Sequence, residues 1–373
     1  MIRPGQVLSL IVAGVALAGA GVWLVSRHGA DSGAEPEGQV LPLKPADLNA
    51  VTRLQVFKGD GSRTTLVRDA THWMVSQRNY PADTGQVRKL LLDLSNLKVE
   101  EQKTADPALY PKLGVEEPRG AQATSTGVQI DVNGKTLGLI VGKTSGTSSV
   151  YVRITGQAQS LLANPQLAPD ADPRHWLDRT IVDIAPEQVT EVDLEPQDGP
   201  GYSIKRSAAG AAPDYRVSPL PKGRELADPS APASQAGALA GLQLDDVRKA
   251  ATHTAASHAR FHTGDGLTLT LTGIAEGETR YIAVAAAGET PAAQQRARDL
   301  NARLAGWEFE LPSYRYEELF KPLEQLLKPK SSAPASAAPH APHSPVTAPK
   351  TLPFGPQGQG RGGQDPVTPQ QSH

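Results

Sequence analysis

Residues 51–68 read VTRLQVFKGDGSRTTLVR and residues 189–206 read VTEVDLEPQDGPGYSIKR. Laid one on the other, they align Val51, Leu54, Val56, Leu66 and Arg68 with Val189, Val192, Leu194, Ile204 and Arg206 at one constant offset. The match lies in the placing of apolar side chains rather than in identity, and such a recurrence marks an internal repeat. Apolar and polar residues alternate within each stretch. Successive side chains leave a strand on opposite faces, so this is the pattern of half-buried antiparallel strands. Each copy adds a third short run, His72-Trp73-Met74-Val75 in the first and Asp214-Tyr215-Arg216-Val217 in the second.

Working outward, residues 83–97 carry Val87, Leu90, Leu91, Leu94 and Leu97, a spacing that draws one apolar stripe along a helix. Asp83 or Thr84 can cap its free amides. In the second copy Ala236, Leu239, Leu242, Leu244 and Val247 predict the equivalent helix after a longer Pro/Ala/Ser-rich loop. The first copy continues with strands over 128–132, 137–141 and 150–153, the first two joined by Asn133-Gly134, a strong hairpin signal. In the second copy 267–271 and 281–284 take the same places. A helical stretch over 291–304 then replaces the short 145–149 connection before Trp307-Glu308-Phe309-Glu310-Leu311. The fold class is α+β, with two tandem related modules of mainly antiparallel sheet and packed helices over 46–186 and 187–330, plus one N-terminal transmembrane helix.

That helix is read at residues 7–25, VLSLIVAGVALAGAGVWLV, which carry no charge and at about 1.5 Å per residue just span a hydrocarbon core of roughly 30 Å. The competing reading is a signal peptide cleaved after Ala20, but Val22-Trp23-Leu24-Val25 prolongs the apolar run. Residues 1–28 are thus a cytoplasmic stub and membrane span. Residues 29–45 suit a flexible linker, and 331–373, rich in Pro, Ala, Ser and Gly, a disordered tail. A single pass through a bacterial inner membrane with the C-terminal domain in the periplasm is the expected location. The chain holds no cysteine, which removes disulfides, thiolate metal sites and cysteine nucleophiles. Its net charge of −2, from 37 basic and 39 acidic residues, offers no basic surface for nucleic acid.

Several local patterns resemble the uncharacterised DUF4340 family. They are Tyr80-Pro81-Ala82-Asp83, Lys103-Thr104-Ala105-Asp106-Pro107 ahead of Tyr110 and Leu113-Gly114-Val115, and Val141-Gly142-Lys143 leading to Tyr151-Val152-Arg153. To these are added the run from Asp172 through Trp176 to Arg179, and the run from Leu300 through Arg303 to Trp307. The likeness covers roughly residues 46–328. It implies a membrane-anchored extracytoplasmic protein associated with gliding-type ABC transport systems and their auxiliary subunits, and it brings no catalytic residues with it. From the residues themselves, Asp106-Pro107 reads as a helix cap and first turn, Gly114 as the end of that turn, and Trp176 as core anchorage between the modules.

No enzymatic chemistry is assembled in the sequence, and no catalytic, cofactor or metal residue is assigned. Val141-Gly142-Lys143-Thr144 lacks the earlier glycine of a phosphate loop, since position 137 is Leu. There is no Gly-x-Ser-x-Gly elbow and no His-Glu-x-x-His pair. His253, His258 and His262 form the best metal candidate, the last two at helical i, i+4 spacing, but packing or solvated histidines are the better reading. His340, His343 and His373 read as solvated linker residues. The acidic pairs Glu100-Glu101, Glu116-Glu117 and Asp245-Asp246 diverge, as adjacent side chains do. The expected function is a non-enzymatic accessory or scaffold subunit docking onto protein partners of an ABC-type transport complex. The alternative is a periplasmic ligand-binding or cell-envelope module with its site between the two halves.

Overall fold

The hairpin read from residues 51–68 turns at Asp60-Gly61, where Gly61 takes a left-handed φ of 93° and the Asp60 carboxylate accepts from the Ser62 backbone N–H at 2.8 Å. The structure, a computed structural model, describes residues 38–70, 72–207, 215–253 and 256–329. The span read at 7–25 and the tail read at 331–373 lie outside the described residues. Among the described residues no helix is long and apolar enough to cross a membrane.

Strands β1 (Val51–Lys58), β2 (Arg63–Asp69), β3 (His72–Val75), β4 (Tyr80–Pro81), β5 (Lys98–Gln102), β6 (Thr126–Val132), β7 (Lys135–Ser145), β8 (Ser149–Ile154) and β9 (Ser160–Asn164) form one sheet in the order β4-β3-β2-β1-β6-β7-β8-β9-β5. A short pair, β10 (Thr180–Val182) with β14 (Leu242–Gln243), follows. A second sheet is built from β11 (Val189–Glu195), β12 (Tyr202–Arg206), β13 (Tyr215–Ser218), β15 (Asp246–Lys249), β16 (Ser257–Thr263), β17 (Leu267–Glu276), β18 (Thr279–Gly288) and β19 (Trp307–Leu311). Its order, β13-β12-β11-β16-β17-β18-β19-β15, matches the first sheet strand for strand once β4 is set aside. All pairings between neighbours are antiparallel.

The correspondence extends to irregularities. β1 and β11 each shift register against their partner strand, between Val51 and Arg53 and between Val189 and Glu191. The repeated arginine has a role in both copies. Arg68 Nη1 donates to the Asn49 carbonyl at 2.8 Å and Arg206 Nη1 donates to the Glu187 carbonyl, each closing a short 3₁₀ turn that feeds the first strand.

Helix α1 (Thr84–Ser95) starts where Asp83 accepts from the Gly85 and Gln86 amides and buries Val87, Leu90, Leu91 and Leu94. The remaining helices are α2 (Tyr110–Leu113), α3 (Ala231–Ala236), α4 (Pro291–Leu304), α5 (Ser313–Leu319) and α6 (Leu323–Leu326). Asn133 and Gly134 both adopt positive φ, 49° and 72°, between β6 and β7, the geometry an Asn-Gly hairpin turn requires.

Three expectations need correction. The helix expected from Ala236 to Val247 stops at Ala236. Gly237 follows, Gly241 turns left-handed at φ 56°, and Leu242 to Lys249 runs as β14 and β15. Leu239, Leu242, Leu244 and Val247 are still buried, so the spacing identified core positions but not the backbone that carries them. Secondly, residues 257–263 form a strand, β16, that takes the place of 128–132. The β17, β18 and β19 strands therefore correspond to β7, β8 and β9, and α4 is inserted between β18 and β19 rather than in the counterpart of 145–149. Thirdly, residues 38–44 of the stretch read as linker belong to the fold. Val40, Leu41 and Leu43 join the main core, and the Val99 N–H donates to the Gly38 carbonyl at 3.0 Å. Leu43 is fully buried, so Leu43→Ala is expected to cost about 2–5 kcal/mol in denaturant unfolding. An unchanged midpoint would show that this segment lies free of the core.

Candidate functional site

The patterns singled out in the sequence gather in two places. The first is the outer face of the first sheet, where residues 103–125 cross it. Asp106 caps the Ala108 amide, and Gly114 ends α2 in the left-handed region at φ 71°. The Tyr110 hydroxyl donates to the Ala158 carbonyl at 2.5 Å. Tyr110, Val115 and Ile140 form a small separate core with Leu113 and Tyr151 against it. Arg153 is buried beneath, its guanidinium 4.5 Å from the Tyr110 ring centroid, donating to the Val115 carbonyl at 2.9 Å and to Glu117 at 2.8 Å. Gly142 is required by close approach, since a Cβ there would lie 2.5 Å from the Leu113 carbonyl oxygen. Lys143 donates to the Lys112 carbonyl at 3.0 Å. The Gly-Lys dipeptide therefore sits in strand β7 and holds a helix end.

The second place is the junction of the two sheets. The Asp83 amide donates to the Trp176 carbonyl at 2.8 Å and the Asp178 amide to the Pro81 carbonyl at 3.0 Å. Trp176 is buried, and its indole donates to the Asp170 carbonyl at 2.8 Å. Arg303 reaches the Thr180 and Ile181 carbonyls at 2.6 and 2.7 Å. Tyr80 of β4 stands edge-on to Trp307 and Phe309 of β19, with centroids 5.2 and 6.2 Å away. Burial pushes the Tyr80 phenol up to about 12, so it stays neutral.

Beside this contact a groove of about 450 Å³ opens, with Arg78, Asp246, Arg248, Lys249, Tyr281 and Glu310 on its walls. Arg78, in the turn after β3, makes two 2.6 Å bonds to the Asp246 carboxylate of β15. Arg248 lies 3.7 Å from the Tyr281 ring centroid and is held doubly by Glu276 at 2.7 Å and by Glu308 at 2.7 Å. Glu276 and then Glu308 hold its protonated form well above the ordinary arginine range. Lys249 Nζ sits 3.4 Å from the Trp307 ring centroid.

Glu308 is 1% exposed and saturated, by Arg248, by the Ala251 amide at 2.8 Å and by His253 Nε2 at 2.7 Å. Burial alone would raise its pKa, but these three donors together outweigh it and hold the carboxyl below its usual range. Glu310, two residues on, goes the other way, since burial and then the Asp246 and Asp245 carboxylates raise it.

The histidine trio does not converge. His258 and His262 lie on strand β16, so four residues separate them by about 13 Å, and His262 pairs with Asp193 at 3.1 Å while His253 serves Glu308. Among the described residues no group of three His, Cys, Asp or Glu side chains is placed to hold a metal ion. Two of the acidic pairs find separate partners: Glu116 accepts from Thr124 and Glu117 from Arg153, while Asp245 pairs with Arg179 and Asp246 with Arg78.

A family model described as a domain of unknown function, DUF4340, matches residues 73–263, just over half of the 373-residue chain. The match runs from β3 into β16, across the junction. No curated protein and no solved structure matches the chain.

Opposite effects are expected from the two glutamates. Glu308 has a depressed folded pKa, so its stabilisation is complete above the ordinary value of roughly 4.3 and is lost as the pH falls through the folded value. Removing it leaves the Ala251 amide and His253 without their acceptor and Arg248 to Glu276 alone, and Glu308→Ala should cost about 1–3 kcal/mol at neutral pH. Glu310 has a raised folded pKa, so the stability tied to its protonation is present below the ordinary value and lost as the pH rises through the folded one. Glu310→Gln should therefore equal or exceed the parent in Tm at pH 7, with the difference vanishing in acid. Melting curves across pH 3–8 for both variants check the pair of signs.

Proposed function

The chain belongs to the DUF4340 family, a domain of unknown function, and from that premise we propose that it is a non-enzymatic, membrane-anchored accessory subunit. Residues 7–25 hold it in a bacterial inner membrane by a single span, and the two sheets stand in the periplasm as a docking body for partner proteins of an ABC-type transport complex. The observation that carries this reading is the use to which the junction charges are put. Arg78 and Asp246 are spent on each other across the junction, and Arg248 on Glu276 and Glu308 within the second sheet, so the Arg78–Asp246 pair ties the two sheets together and the neighbouring charges are neutralised beside it. The transport complex as partner comes from the family resemblance. Detergent-solubilised, tagged protein is expected to bring down permease or auxiliary subunits, and to stay with membranes through high salt and carbonate. Recovery of the protein alone in several mild detergents, or a mature N-terminus near Gly21, would count against it.

A second reading is favoured by one feature. The 450 Å³ groove lies where the two halves meet, and junctions between modules are common places for pockets. A polar ligand there would have to displace the Arg78–Asp246 pair or bind Lys249 and Glu310.

A further inference from the structure

Beside residues 103–125, on the outer face of the first sheet, the ladders set two rows of side chains across the strands. Residues directly opposed in a ladder share a face. Arg63, Phe57, Gly127 and Ile140 form one row, and Thr65, Gln55, Gln129 and Gly138 the next. Each row holds a glycine, and a neighbouring side chain leans over it. A Cβ at Gly127 would run into the ring of Phe57, and one at Gly138 into the Thr155 hydroxyl. The Phe57 ring is thus laid across the sheet, and a groove of about 250 Å³ opens between it, Gln55, Gln129 and residues 117–119. The 117–119 wall is fixed, because Glu116 accepts from the Thr124 amide at 2.6 Å and Gly59 lets the Gly120 carbonyl approach the end of β1.

The polar groups of this groove are not used up on one another. Among the described residues Arg63 and Arg119 pair with no carboxylate, and the Gln129 amide meets no partner. Gln55 donates to Thr65 at 3.1 Å, which leaves its carbonyl oxygen open. Arg63 stands 5.4 Å from the Phe57 ring centroid. Glu117 is engaged by Arg153 at 2.8 Å through one oxygen.

The second sheet shows that the fold does not require these residues. At the offset that aligns Val51 with Val189, Phe57 and Gln55 correspond to Glu195 and Asp193. The ladder partners of those two are His258 and Arg260, where the first sheet has Gly127 and Gln129. Arg260 donates to Glu195 at 3.0 Å and His262 pairs with Asp193 at 3.1 Å. The same ladder therefore stands on paired charges, with no aromatic ring and no glycine beneath one. Strand pairing does not account for the ring, the glycine and the open amides of the first sheet.

We propose that the groove binds an acidic sugar, a pyranose ring that carries a carboxylate. The negative face of an aromatic ring attracts the weakly positive C–H face of a sugar and gives it an apolar platform. Side-chain amides both donate and accept, as neighbouring hydroxyls demand. The carboxylate takes the unpaired cations, Arg63 and Arg119, whose planar donor forks match it. A cavity of roughly 150 Å³ accepts a benzene ring, so this groove has room for one six-membered ring with its hydroxyls. A neutral sugar leaves the arginines unmatched, and a plain aromatic acid leaves the amides unmatched. The site is separate from the junction groove and does not depend on the accessory-subunit reading.

The test is binding of the detergent-solubilised full chain to a glycan array that displays uronic, muramic and sialic acids beside their carboxyl-reduced counterparts. The best glycan is then titrated, with benzoate as the aromatic acid that lacks hydroxyls. The acidic glycan is expected to bind about tenfold or more tighter than its reduced counterpart, as a hydrogen bond to a charged group implies. Phe57→Ala and Arg119→Glu should each weaken it by about tenfold or more. Glu195→Ala, at the counterpart of Phe57, should leave it unchanged. Arg119 is exposed, so Arg119→Glu decides the matter even where Phe57→Ala unsettles the sheet. No bound glycan, equal binding of the reduced counterpart or of benzoate, or binding that Arg119→Glu does not alter overturns the proposal.

Discussion

The ring of Tyr80 between the two sheets is the contact on which their arrangement depends. β4, the strand that carries it, has no counterpart in the second sheet. It is the added edge that lets the first module lay an aromatic side chain against Trp307 and Phe309. Aromatic pairs in edge-on geometry contribute about 0.5–1.5 kcal/mol beyond the area they bury. Around that ring the backbone is stitched by Asp83 to Trp176 and Asp178 to Pro81, and on its open side Arg78 grips Asp246. The described residues from Gly38 to Lys328 accordingly form one compact unit.

Two glutamates on β19 show how local surroundings set the use of a charge. Glu308 and Glu310 lie on the same face of the strand, yet one is surrounded by donors and the other by carboxylates. The first gathers Arg248, the Ala251 amide and His253 around itself, and the second lines the groove at the junction. The repeat also makes a difference between copies visible. The face that one module covers with its own residues 103–125 carries in the other a cluster of Arg248, His253 and Glu308, with Arg248 lying over Tyr281.

Much of the fold was legible in the sequence because period-two alternation with Gly-containing turns has few other physical solutions. The β1–β2 hairpin, its counterpart β11–β12, the Asn133-Gly134 turn and the Asp83-capped helix were all readable from local pattern. β16 was not, because its inward residues, Ser257, Ala259, Phe261 and Thr263, contrast weakly with His258, Arg260 and His262 on the other face. Leu239 to Val247 misled because a leucine every two or three residues fits a helical stripe as well as a turn and strand, and Gly237 and Gly241 decided between them. Val40, Leu41 and Leu43 sit among prolines and small residues, so their burial depends on the end of α1 and on β5, 56 residues or more away in sequence. The junction charges were illegible for the same reason: Arg78 and Asp246 are 168 positions apart, and only the folded chain brings them together.

The claim that the junction makes one body of two sheets is tested most directly by hydrogen exchange during denaturant unfolding, followed at amides of β1 and β6 in the first sheet and β16 and β17 in the second. The account predicts that both sets lose protection at one midpoint, and that Tyr80→Ala separates them. Two midpoints in the unaltered protein, with the first sheet opening while the second stays closed, would contradict it.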